Sequence, residues 1–209
     1  MLLETIVVGP LGVNCFILLD KQSHEGVVVD PGADGEMILS AIARFGMQVK
    51  YIINTHGHFD HIGCNRQVQA LTGAELLIHE KDLWLLSEAA KSAQQYGLQA
   101  EDSPLPSRYL TDGMRLEFGS RSIEVLHTPG HTPGGCSLFL AKEHLVITGD
   151  TLFADSVGRT DLPGGSQEQL IASIRAKLLP LADDTVVYPG HGPSSSIGRE
   201  RRSNPYLRG

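Results

Sequence analysis

The sequence predicts a mixed α/β fold, an αββα four-layer sandwich, on three observations. Short runs rich in Val, Ile and Leu recur along the chain and stop at Gly or Pro turns, as strands do. Segments with apolar residues at helical spacing stand between them. The strands also gather into two β-rich halves, so two sheets with helices outside account for the order of elements.

In the first half, strands are predicted near residues 3 to 8, 13 to 19, 26 to 30, 50 to 54 and 75 to 79. Helices are predicted near 34 to 46, 63 to 72 and 80 to 95, the last from Leu83, Leu86, Ala90 and Ala93. Trp84 and Tyr96 read as packing residues ahead of a role at a pocket mouth, and Ser103-Pro104-Leu105-Pro106 forces an extended stretch. In the second half, strands are predicted near 114 to 119, 122 to 127, 136 to 140, 144 to 148 and 185 to 188. A helix near 167 to 179 has Ser166 and Gln169 as a capping box, and Leu170, Ile171, Ile174 and Leu178 as its buried stripe.

The most informative segment is Thr55-His56-Gly57-His58-Phe59-Asp60-His61, directly after the strand-like Tyr51-Ile52-Ile53. His56 and His58 are two apart and point the same way in an extended turn, while Asp60 and His61 project from the next bend, where a helix begins. A helical H-E-x-x-H site spaces its histidines one turn apart, so this spacing predicts a metal-binding loop at a strand end. A polar loop with surface histidines is the competing reading, and three downstream segments speak against it. Strands near 123 to 126, 145 to 147 and 185 to 188 lead into His131, Asp150 and His191 at Gly or Pro turns. Converging strand ends would give His56, His58 and His131 for one cation, Asp60, His61 and His191 for a second, and Asp150 as the bridge. Such donors favour two divalent ions of zinc, and iron or manganese also suit them.

The H-x-H-x-D-H segment, the later His131, Asp150 and the final Gly190-His191 together resemble the signature of the metallo-β-lactamase fold superfamily. Val29-Asp30-Pro31-Gly32 is similar to its early D-P-G element, whose aspartate lies behind the ligands. The resemblance spans about residues 1 to 195 and implies the αββα sandwich of the metallo-β-lactamase type. The strip from Thr151 to Gly165 further resembles the glyoxalase II branch, the hydroxyacylglutathione hydrolases, in their short bacterial form. The persulfide dioxygenases, which use a single iron, share part of it. Arg159 matches the branch's basic substrate contact, Asp161 stands where an aromatic residue is usual, and no C-terminal helical domain follows in this sequence.

That likeness implies a small-molecule substrate, a glutathione thioester, cleaved by hydroxide drawn from a water shared by two cations. Asp60 would both hold metal and orient the water, and Asp30 would restrain a ligand imidazole. A thiolate leaves without a strong general acid, and the chain carries no G-x-S-x-G element that would argue for a serine nucleophile. Two other readings stand beside it: a mononuclear iron glutathione persulfide dioxygenase, and a metal-binding sensor or scaffold without activity.

With 209 residues, 41% of them hydrophobic, and no linker-like stretch, residues 1 to 209 read as one domain. The net charge of −7, from 17 basic against 24 acidic residues, leaves no footprint for nucleic acid. No leader or membrane-length apolar run is visible, so the reading is a cytoplasmic protein with no membrane partner, and nothing marks its oligomeric state. Cys15, Cys64 and Cys136 read as packed thiols, and Arg199, Arg201, Arg202 and Arg208 as a solvated C-terminus. His24, His79, His127 and His144 fall outside the ligand pattern.

Overall fold

β1 (Leu2–Val8) buries Ile6 and Val8 while Val7 stays 61% exposed, the alternation of a strand with one wet face. Its antiparallel partner β2 (Val13–Leu19) is buried at every position. The computed structural model describes residues 1–208, and the chain divides into two compact units. The first holds Met1–Leu110 with Glu117–Ser122. After β3 (Glu25–Val29) come α1 (Gly35–Arg44), β4 (Gln48–Ile53), α2 (Phe59–Ile62), α3 (Asn65–Thr72) and β5 (Glu75–His79). A 3₁₀ turn, Glu80–Asp82, leads through α4 (Leu83–Leu86) and α5 (Ala89–Gln95) to β6 (Arg108–Leu110).

The six strands form one sheet in the order β1-β2-β3-β4-β5-β6, antiparallel up to β3 and parallel from β3 to β6. Parallel neighbours need a crossover, which is why a helix stands between each successive pair. Ile38, Ala41 and Ile42 of α1 and Val68 of α3 close over Ile17, Val28, Ile52 and Leu76 of the sheet. Because β3, β4 and β5 run the same way, the loops after Val29, Ile53 and His79 leave at one edge. Asp30, the histidine loop and Asp82 therefore become neighbours despite their separation in sequence.

The predicted helix over 80 to 95 is broken into three pieces. The Ser87 hydroxyl donates to the Trp84 carbonyl at the break; of the expected stripe Leu86 and Ala93 are buried and Leu83 and Ala90 partly so, and Leu85 and Ala89 are buried beside them. Trp84 is 43% exposed, so its expected packing role is corrected; Tyr96, 48% exposed, packs one face on Phe59. Strand β6 escapes pattern reading because it is three residues long and follows the proline stretch.

The second unit holds Thr111–Leu116 and the residues from Ile123 on. The strands that follow in the chain are β7 (Arg115–Phe118) and β8 (Arg121–His127), each only partly in this unit, then β9 (Cys136–Leu140) and β10 (Leu145–Gly149), followed by the small hairpin β11 (Leu152–Phe153) and β12 (Ser156–Val157). Then come α6 (Gln167–Ser173), running into a π-helical turn Ile174–Leu178, β13 (Val186–Pro189), β14 (Ser195–Ser196) and α7 (Ile197–Ser203). The sheet order is β14-β13-β10-β9-β8-β7. β10 is parallel to β13 and antiparallel to β9, which is antiparallel to β8, so β8, β10 and β13 all end at one edge. The loops carrying His131, Asp150 and His191 start there. Ser166 Oγ accepts from the Gln169 N–H at 3.3 Å, and Leu170, Ile174 and Leu178 pack on Val146 and Val187, as the pattern predicts.

The arginine tail is not simply solvated. α7 docks as Arg199 pairs with Asp155 and as Arg201 and Arg202 pair with Asp183, above a buried Glu200 that accepts from the Asp155 N–H at 2.9 Å and Asn204 at 2.8 Å. The helix is capped by Ser196 and buries Ile197 and Glu200, while its arginines pair on the exposed side. Cys15, Cys64 and Cys136 are free thiols. Among the described residues no helix is long and apolar enough to cross a membrane.

Candidate metal centre

In the first unit the site is built on Asp30, which takes a left-handed backbone (φ 50°) immediately after β3 and is fully buried. Its Oδ1 accepts the Thr55 N–H at 2.7 Å; Oδ2 accepts the Thr55 hydroxyl at 2.6 Å and lies 3.0 Å from His61 Nδ1. A carboxylate only accepts, so His61 carries its proton on Nδ1 and turns an Nε2 lone pair outward, 3.8 Å from Asp60 Oδ2. The Thr55 hydroxyl, with its hydrogen committed to Asp30, accepts from His56 Nδ1 at 3.1 Å. His56 Nε2 is thereby the donor atom, and it faces His58 Nδ1 at 3.1 Å with the two rings nearly perpendicular. One buried carboxylate thus sets the tautomers of two histidines, directly and through a hydroxyl.

Other contacts hold the loop itself. Asp82, fully buried, accepts the Gly57 N–H at 3.0 Å, and Asn54 Nδ2 donates to the His61 carbonyl at 3.1 Å. Gly32 lies so close to the loop that a Cβ there would run into the Asp60 carbonyl. Thr55, Asn54 and Asp82 were not singled out from sequence. Thr55 had a signal, since it adjoins His56, but Asp82 had none: only the parallel sheet edge brings it to Gly57.

In the second unit, His131 donates from Nδ1 to the Arg159 carbonyl at 2.7 Å, which again leaves Nε2 as the ligand atom. That atom lies 3.6 Å from Asp150 Oδ2, and His191 Nε2 lies 3.6 Å from the same oxygen. Gly158 makes this approach possible: a Cβ would strike the Asp150 carbonyl. His127 bonds through Nε2 to the Pro133 carbonyl at 3.1 Å, bracing the loop that carries His131. His24, His79 and His144 make local contacts, to the Phe45 carbonyl, the Lys81 N–H and Asp184.

These donor spacings pass a simple test of fit to a metal ion. Separations of 3.6 and 3.8 Å are too long for hydrogen bonds. Two ligand atoms about 2.1 Å from one ion at a near-tetrahedral angle stand roughly 3.4 Å apart, close to what is seen. The first unit therefore gathers Asp30, His56, His58, Asp60 and His61, and the second gathers His131, Asp150 and His191, each with nitrogen lone pairs aimed beside a carboxylate.

Arg159 is engaged within its own turn. Its Nε and a terminal nitrogen donate to Asp161 at 2.8 and 2.7 Å, and these bonds hold the Asp161 carboxyl at about 2. The side chain braces its turn while its own carbonyl orients His131.

Residues 8–191 match the family model described as the metallo-beta-lactamase superfamily. The chain is 39% identical over 209 residues to the protein named hydroxyacylglutathione hydrolase GloC of Haemophilus influenzae, a match covering 99% of this chain and 98% of that one. Among solved structures, BLEG-1 B3 metallo-beta-lactamase is similar with a TM-score of 0.93 at 37% identity over all of both chains. TTHA1623, in a di-iron-bound form, is similar with a TM-score of 0.90 at 38% identity, covering 98% of this chain and 100% of that one.

Proposed function

Because the chain belongs to the metallo-beta-lactamase superfamily, and has its mixed α/β fold, we propose that it is a metal-dependent thioesterase acting on acyl-glutathione thioesters. The observation that carries the hydrolase reading is that His61 and His131 have tautomers fixed so that each offers a lone pair beside Asp60 or Asp150, with the His56 lone pair fixed as well. The whole-length likeness to a protein named for hydroxyacylglutathione hydrolysis supports the thioester. In this reading residues 1 to 209 act as one hydrolase domain. His56, His58 and His131 hold one divalent cation, Asp60, His61 and His191 hold a second, and Asp150 serves both. A loaded centre of this kind supplies hydroxide at neutral pH and a positive field for a carbonyl oxygen.

The chain's own residues do the rest. Asp60 orients the water for attack on the thioester carbon, a C–O bond forms, and the C–S bond breaks. The departing thiolate, with a pKa near 8.5, needs no dedicated acid, whereas a β-lactam or phosphodiester leaving group gains far more from one. Lactoylglutathione should therefore be cleaved with a kcat/KM well above that of a cephalosporin reporter. Comparable rates would favour the β-lactamase reading that the likeness to a B3 enzyme raises. Metal analysis separates the remaining alternatives. Two zinc or iron ions per chain with thioester cleavage support the proposal; one iron with O₂ uptake on glutathione persulfide supports the dioxygenase; bound metal with no turnover supports a sensor or scaffold.

Arg159 is proposed to meet a substrate carboxylate in addition to bracing its turn. An Arg159→Ala enzyme should then show a raised KM, by the equivalent of about 1.5–3 kcal/mol for a charge-assisted hydrogen bond, with metal content intact. A pure brace predicts an unchanged KM and a loss of at most about 1 kcal/mol in stability, since the pair with Asp161 is exposed.

A further inference from the structure

A cavity of about 80 Å³ opens in the first unit beside Asp60, bordered by the β1–β2 turn, the Gly32-Ala33 segment and the chain following α5. Leu11, Ala33, Phe59 and Leu98 give it apolar walls, and Asp60 and Gln99 also line it. The turn that carries Leu11 is held: the Gly9 N–H donates to Asp34 at 2.8 Å and the Gly12 N–H to the Gly9 carbonyl at 3.1 Å. Leu11 nevertheless remains 40% exposed, an apolar side chain kept at solvent on a braced turn. Phe59 is fixed from behind by Tyr96, with ring centroids 5.5 Å apart. An apolar cleft with braced walls and Asp60 in its lining fits a ligand whose reactive polar atom lies at one end and whose body is hydrocarbon.

We propose that this cleft takes the acyl chain of the thioester, which makes butyryl groups better substrates than acetyl ones. The inference rests on the thioesterase reading above and deepens it. Once the carbonyl carbon is placed for the water that Asp60 orients, the chain beyond it enters the cleft. Each methylene moved from water into such walls improves binding about threefold to fourfold.

The test uses the metal-loaded protein, a series from acetyl- to butyrylglutathione, and the non-hydrolysable probes S-methyl- and S-butylglutathione. The proposal expects kcat/KM to rise roughly tenfold from acetyl to butyryl, and S-butylglutathione to bind more tightly than S-methyl by calorimetry. Leu11→Asp, at an exposed turn position, should flatten both preferences while the melting temperature holds. A flat acyl series in the wild-type protein, equal or undetectable binding of the two probes, or a preference that survives Leu11→Asp overturns it. Acetylglutathione barely needs the cleft, so its hydrolysis tests the thioesterase reading alone. If it is not cleaved while S-butylglutathione still binds ahead of S-methyl, that reading fails and the cleft stands.

Discussion

Replacing His131 with Ala should remove most of the metal from the position it is proposed to share with His56 and His58, and lower kcat on the order of 10³-fold or more. The reason lies in what His131 supplies. Its Nδ1 is spent on the Arg159 carbonyl, so the whole ligand capacity of the ring rests on one oriented nitrogen, held 3.6 Å from Asp150. The variant should fold, because the Arg159 carbonyl lies on a loop and water can replace the lost N–H. His24→Ala is the control: that ring is exposed, touches the Phe45 carbonyl, and should change neither metal content nor rate. Metal analysis and kcat on both variants check this, and a His131→Ala protein with full metal and full rate would remove the histidine from the centre.

The candidate ligands that were legible in the sequence share one physical property in each unit: each follows a strand that stops. His56, His131, Asp150 and His191 follow short apolar runs closed by Gly or Pro, and Asp30 follows β3 in the same way, so local pattern exposed them. Asp82 and Thr55 work through hydrogen bonds to a main-chain N–H or a neighbouring ring, and such bonds leave no periodicity to read. Arg159 shows the other limit. The family resemblance pointed to its side chain, and the contact from its carbonyl that positions His131 is one that any residue would supply. Among the elements, long amphipathic segments such as α1 and α6 were legible. Helix was legible from 80 to 95 as well, but its break at Ser87 and the three-residue β6 were not, since neither leaves a periodicity to read. α7 was hidden by its charges, whose partners Asp155 and Asp183 are distant in sequence.

Asp30→Asn should lower metal affinity about 10- to 100-fold, the usual effect of removing a partner that holds a ligand histidine from behind. The substitution keeps volume and shape, and asparagine tolerates the left-handed backbone that Asp30 adopts, so strain does not confuse the result. What changes is hydrogen-bond polarity. An amide can still accept the Thr55 N–H through one oxygen, but its NH₂ then faces the Thr55 hydroxyl and His61 Nδ1, both of which donate to the carboxylate. His61 must shift its proton to Nε2, which abolishes its ligand atom, or turn away within a fully buried pocket. His56, tied to the same carboxylate through the Thr55 hydroxyl, loses its fixed tautomer at the same time. Asp30→Ala adds a backbone cost and a buried Thr55 N–H without a partner, worth about 1–3 kcal/mol, so it should also lower the melting temperature of the metal-free protein. Chelator competition on the Asn variant, set beside melting of both metal-free variants, distinguishes the two effects. Wild-type metal affinity in Asp30→Asn would mean that the ligand histidines are oriented by something other than this carboxylate.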